Sequence, residues 1–127
     1  MGKKNYRILF IDDDPQLLKL GEMIIHRLGY DVISHNSSTE ALEMFKDFPG
    51  HFDLVITDYR MPEMNGAELC AEILKIMPDI PIIMCSGYSS EFGEHDAKSL
   101  GITWFIRKPL MKKDFDELIH EALETSQ

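Results

Sequence analysis

Five short apolar runs, each followed by a stretch with helical spacing, constrain this chain more than any other feature of its sequence. The runs are Arg7 to Ile11, Val32 to Ile33, Leu54 to Thr57, Ile82 to Cys85 and Trp104 to Ile106. Runs this short, aliphatic and β-branched read as strands buried on both faces. After the first, Asp14 can cap free amide groups while Pro15 takes the first helical position, where a missing N–H costs nothing. Leu17, Leu20, Ile24 and Leu28 recur at intervals of three or four on one face of that helix, which Gly29 ends. Ser37 and Glu40 have the spacing of a capping box before Ala41, Leu42 and Phe45. A third helix carries Leu69, Cys70, Ile73, Leu74 and Met77. A weaker fourth runs from about Ser90 to Leu100, and a fifth carries Phe115, Leu118, Ile119 and Leu123. Because a parallel crossover needs a helix and is nearly always right-handed, this alternation predicts an α/β fold with one five-stranded parallel sheet, doubly wound.

A chain of 127 residues fits one domain, 1–127, with a core from about residue 6 to 124. Thirteen Lys and Arg against 22 Asp and Glu give a net charge of -9. Such a surface repels nucleic-acid phosphates and anionic lipid, so no direct DNA binding is expected. No apolar run approaches the roughly 20 residues that span a bilayer, so no membrane insertion is expected either. Cys70 and Cys85 both fall in apolar patterns, which suits buried reduced thiols and a cytoplasmic setting.

In doubly wound sheets ligands bind outside the carboxyl ends of the strands. The residues there are Asp12 and Asp13 after the first strand, Asp58 at the end of the third, Ser86 after the fourth and Lys108 after the fifth. Carboxylates about 4 Å apart repel by roughly 4 kcal/mol per pair at an effective dielectric near 20. Lys108 and a hard divalent cation would relieve that repulsion. Oxygen ligands favour Mg²⁺, for which Mn²⁺ can substitute, and the set suits phosphoryl transfer.

The runs ILFIDDDP, LVITDYRMPEMNG, PIIMCSG and FIRKPL resemble the receiver domains of two-component response regulators over essentially the whole chain. The resemblance implies a CheY-like, flavodoxin-like (βα)5 sandwich and a phosphoacceptor signalling switch. Asp58 would be the nucleophile, taking a phosphoryl group from a phosphohistidine of a sensor histidine kinase or histidine phosphotransfer domain. Asp13, Asp58 and the backbone carbonyl of Arg60 would hold Mg²⁺, with Asp12 acting largely through a metal-bound water. Lys108 and Ser86 would each engage a phosphoryl oxygen. Slow autodephosphorylation would follow, so this is a self-phosphorylating switch rather than a turnover enzyme. The last two helices and the fifth strand would form the face for an output partner. The fifth helix runs almost to Gln127, leaving no room for an output domain. The chain therefore reads as a stand-alone receiver or a piece of a larger protein, and the stretch from Pro81 to Leu110 looks like receivers attached to hybrid sensor kinases.

The family's switch pairs Ser86 with Phe105, which here lacks the hydroxyl of the Tyr often found at that position. Phe105 is either a moving aromatic or an ordinary rim residue. Trp104 should point to the opposite face, as core or as part of a partner surface. Arg60 and Tyr88 could overhang the phosphate and lengthen its lifetime, or be solvated and inert, while Gly87 leaves room for a donor. Lys108–Pro109 is a candidate cis peptide, since the family commonly has one, against an ordinary trans turn. The histidines have no ligand spacing, and Met23, Met44, Met77 and Met84 read as adaptable core.

Three rivals differ in class. A haloacid-dehalogenase-like phosphatase would need Asp-x-Asp-x-Thr after the first strand, where Asp12-Asp13-Asp14-Pro15-Gln16 stands. A pseudo-receiver that never carries phosphate would lack the Asp or the Lys. A flavodoxin-like cofactor binder would place amides and hydroxyls, not acids, at the strand ends.

Overall fold

The computed structural model describes residues 5–87 and 90–125. Strands β1 (Arg7–Ile11), β2 (Asp31–His35), β3 (Leu54–Asp58), β4 (Ile82–Ser86) and β5 (Trp104–Arg107) alternate with helices α1 (Pro15–Arg27), α2 (Ser38–Asp47), α3 (Gly66–Ile76), α4 (Glu94–Ser99) and α5 (Lys112–Thr125). Every neighbouring strand pair is parallel, and the sheet order is β2-β1-β3-β4-β5. The order reverses between β1 and β3, so the ligand crevice of such a sheet opens beside Asp12 and Asp58.

The strands are buried on both sides because their alternate residues feed two separate cores. Leu9 and Ile11 face Ala41 and Phe45 of α2 and Leu69 and Ile73 of α3. Ile8 and Phe10 face Ile25 of α1 and Phe115 and Ile119 of α5. Trp104 and Phe105 divide between these cores as strand alternation predicts, and Trp104 Nε1 donates to Glu121 Oε2 at 2.8 Å. No described helix is long and apolar enough to cross a membrane.

Three local expectations need correction. The buried face of α1 centres on Gly21 and Ile25, flanked by Leu18, Ile24 and Leu28, whereas Leu20 and Met23 are about 40% exposed (40% and 42%). Apolar spacing missed this because the closest approach falls on a glycine. A Cβ at Gly21 would come within 2.4 Å of the Phe10 ring, so the helix rotates to seat its smallest residue there. Helix α4 begins at Glu94 rather than near Ser90. Its start is fixed by the Asp96 carboxylate, which accepts from Gly93 N–H at 2.8 Å. Strand β2 runs over five residues, longer than its two apolar ones, because its other positions pair with β1 while partly exposed.

Candidate functional site

Register brings the predicted residues together. β3 pairs Asp58 with Cys85 of β4, and β4 pairs Ser86 with Arg107 of β5. The ladder continues past the strands through Asp12 N–H to His35 O (3.2 Å), Tyr59 N–H to Cys85 O (2.8 Å) and Lys108 N–H to Ser86 O (2.8 Å). Parallel strands are roughly 4.8 Å apart, so residues closing adjacent strands become neighbours.

Carboxylate oxygens of Asp12, Asp13 and Asp58 lie within 4.8 Å of one another. Lys108 Nζ is 3.1 Å from Asp12 Oδ2 and 3.1 Å from Asp58 Oδ1. Asp12 is held at both ends, since its Oδ1 accepts from Asp14 N–H at 3.0 Å. Asp12 and Asp58 are buried, while Asp13 is exposed and free to turn toward a ligand. Asp14 caps α1, its carboxylate accepting from Gln16 N–H at 2.9 Å and Leu17 N–H at 3.4 Å. Asp58, Lys108 and the acidic pair open into a cleft of about 350 Å³ that Arg60 and Gly87 also line.

Burial dominates the electrostatics. It pushes the Asp58 carboxyl up to about 6, the Asp12 charge adds to the rise, and Lys108 only partly opposes it. The Asp12 pKa is also raised, chiefly by burial, against the pull of the Asp14 amide and Lys108. Burial acts to lower the Lys108 pKa, but Asp12 and Asp58 outweigh it and the ammonium is held above its usual value. One cation between two buried carboxylates leaves excess negative charge, and an oxygen-only donor set of this kind fits a hard divalent ion.

Ser86 is buried and its hydroxyl makes no hydrogen bond, although its carbonyl is engaged by Lys108. A Cβ at Gly87 would meet nothing within 4 Å, so the approach beside Ser86 is open. Phe105 is half-buried against the α2/α3 core, and Lys108–Pro109 is cis. Tyr88 lies outside the described residues. Sequence reasoning read Gly66 only as the end of the LVITDYRMPEMNG run, without a role, and overlooked Arg107. A Cβ at Gly66 would come within 2.4 Å of the Asp58 carbonyl, and the Asn65-Gly66 start of α3 was the available signal. Arg107 had none beyond standing next to Lys108.

Residues 8–120 match the model of the response regulator receiver domain. The chain belongs to the response regulator receiver family. It is similar to the transcriptional regulatory protein GlrR of Escherichia coli (strain K12), with 37% identity over 126 residues, 99% of this chain and 28% of that protein. It is also similar to the sensor kinase CckA of Brucella abortus (strain 2308), with 32% identity over 117 residues, 92% of this chain and 12% of that protein. It thus spans under a third of the length of either relative. Among solved structures, the CheY-like response regulator receiver domain protein from Methanospirillum hungatei JF-1 superposes with a TM-score of 0.87 at 30% identity, covering 97% of both chains. That from Clostridium thermocellum gives 0.86 at 31% identity, covering 94% of this chain and 95% of its own. Receiver domains of this family are phosphoacceptor switches of two-component signal transduction that work with sensor kinases and output domains and generally bind Mg²⁺ at an acidic pocket. The phosphatase and cofactor-binder alternatives are not favoured, and the first-strand acid a dehalogenase-like enzyme would use is already tied down at both oxygens.

Proposed function

We propose that Asp58 is the phosphoacceptor of this receiver and that the unit folds and acts as one domain with a core from about residue 6 to 124. The observation carrying this reading is the placement of Asp58 at the end of β3, in the cleft, with Lys108 Nζ 3.1 Å from its Oδ1 and the Asp12–Asp13 pair alongside. An Asp58 carboxylate oxygen attacks phosphorus in line with the bond to a phosphohistidine nitrogen. The P–N bond breaks, the imidazole leaves with its electron pair, and an acyl phosphate forms on Asp58. Lys108 is already positioned to follow the developing charge on a phosphoryl oxygen. Ser86 carries a buried hydroxyl with no partner, and a phosphoryl oxygen supplies one.

Asp13, Asp58 and the Arg60 carbonyl would hold Mg²⁺, with Asp12 acting through a metal-bound water. When bound, the ion neutralises charge on the phosphoryl group. The donor is a sensor histidine kinase or histidine phosphotransfer domain, the setting is cytoplasmic, and α4, β5 and α5 form the output face. Arg60 is exposed and lines the cleft, which supports a role in slowing the water that hydrolyses the acyl phosphate.

Intact mass after incubation with acetyl phosphate and Mg²⁺ tests this reading. A gain of one phosphoryl group that EDTA and Asp58→Ala both abolish is expected. Failure with acetyl phosphate and also with a phosphohistidine donor would leave a phosphate-independent interaction module.

A further inference from the structure

Arg107 closes β5 with its side chain exposed, yet it does not simply extend into water. Its Nη1 donates to the Gly87 carbonyl at 2.9 Å and lies 3.4 and 3.5 Å from the Ser90 and Phe92 carbonyls. Its guanidinium carbon stands 5.1 Å from the centroid of the Phe105 ring. That ring neighbours Phe92 at 6.5 Å, and Phe92 stacks on Tyr59 at 4.1 Å with 14° between the planes. Tyr59 is the residue after Asp58. A continuous run of contacts therefore joins Arg107, Phe105, Phe92 and Tyr59, from the end of β5 to the phosphoacceptor.

We propose that Arg107 is a positioning residue that holds the receiver in its resting state, by tying the Gly87, Ser90 and Phe92 carbonyls to β5 and keeping the Phe105 ring against Phe92. The inference rests on the phosphoacceptor reading above. Its sign follows from connectivity. Gly87 directly follows Ser86, so a backbone shift that brings the Ser86 hydroxyl onto a phosphoryl oxygen would carry the Gly87 carbonyl away from Arg107. A Phe105 ring that turns inward leaves the guanidinium as well. Contacts made in one state and lost in the other bias the equilibrium toward the first. Both contacts lie in solvent, where screening leaves a charge-assisted bond and a cation–π contact only a fraction of their usual worth, which holds that bias at roughly five-fold. Loss of a cation beside an anion site acts the other way and weakens anion binding. Tighter binding in a variant lacking Arg107 therefore cannot come from charge alone.

The test titrates wild type, Arg107→Gln and Arg107→Lys with beryllium fluoride in Mg²⁺, a mimic of the bound phosphoryl group, while following the Gly87 amide resonance. Arg107→Gln should bind roughly five-fold tighter than wild type. Before any fluoride is added, its Gly87 resonance should already lie partway along the line that wild type follows during titration. Arg107→Lys keeps a charge near the ring but not the forked donor, and should fall between. A wild-type response with unchanged or weaker binding in Arg107→Gln overturns the role of Arg107 alone. No response in wild type overturns the phosphoacceptor reading and this inference with it.

Discussion

Lys108 Nζ stands 3.1 Å from Asp58 Oδ1 and contacts Asp12 at the same distance, so a single ammonium serves two buried carboxylates. The Asp58 carboxyl is nonetheless pushed up to about 6, because burial and the Asp12 charge together exceed what Lys108 returns. Unbalanced negative charge is therefore stored at the metal-free site at neutral pH.

The stored charge has a sign in stability. The folded pKa of Asp58, about 6, lies above its ordinary 3.8, so its contribution is fully present below about pH 4 and is lost as pH rises through 6. Asp58→Asn, which stays neutral, should stabilise the metal-free protein by about 1–3 kcal/mol at pH 7.5 and by little at pH 4. Urea unfolding in EDTA at the two pH values measures the gap. Equal stabilities at pH 7.5 would mean that Lys108 fully balances the site.

A divalent ion should reverse that deficit. Mg²⁺ at ten times its Kd stabilises by about 1.4 kcal/mol through mass action. Asp13 is the acid to remove because it is exposed and its loss disturbs no buried contact. Thermal melts should show a Mg²⁺-dependent rise in Tm for wild type that largely disappears in Asp13→Asn, while the two proteins melt alike in EDTA. An undiminished rise in the variant would place the ion elsewhere.

Two glycines are held by contact rather than by backbone freedom. Gly66→Ala would drive a methyl toward the Asp58 carbonyl, and Gly21→Ala would drive one into the buried Phe10 ring, which itself sits edge-on against Phe115. Alanine inside a helix normally gains up to about 1 kcal/mol over glycine. Here overpacking should reverse the sign and cost about 1–3 kcal/mol at each position, read as a lower urea midpoint. A stabilised Gly21→Ala would show that α1 can shift away from β1 freely.

These glycines also mark where the sequence stopped being legible. The alternation of strands and helices, the two-sided core and the meeting of Asp12, Asp58, Ser86 and Lys108 were readable because each follows from apolar runs and from residues at strand ends, whereas the strand order is set by pairing that no run encodes. The rotation of α1 was not, since Leu20 and Ile24 satisfy helical spacing as well as Gly21 and Ile25 do, and only the Phe10 ring decides between them. The start of α4 depended on one carboxylate reaching back to Gly93. The contacts of Arg107 join residues as much as 20 positions apart, and no local pattern encodes them.

The loop before α3 carries the strained residue of this edge. Glu63 has φ +69°, a left-handed conformation that costs an ordinary L-residue about 1–2 kcal/mol. Its side chain offers little in return, since Thr39 Oγ1 reaches it only at 3.5 Å and in solvent. Glu63→Gly removes the steric cost while adding entropy to the unfolded chain, so a net gain of about 0.5–1 kcal/mol is expected. A lower urea midpoint in the variant would reveal a contact at Glu63 worth more than its strain.

Both thiols should be silent until the fold opens. Cys70 and Cys85 are each 1% exposed and carry no disulfide. Burial pushes the Cys70 thiol up to about 12 and the Cys85 thiol higher still, the latter helped by the Asp58 charge. The reactive thiolate is then both scarce and inaccessible at pH 8. An aromatic disulfide reagent should label neither cysteine in the native protein and both in urea. Under weakly native conditions the labelling rate should track the open population, so Mg²⁺ should slow it and Gly21→Ala should speed it. Labelling of Cys85 alone in the native state would instead report local opening of β4 beside Ser86.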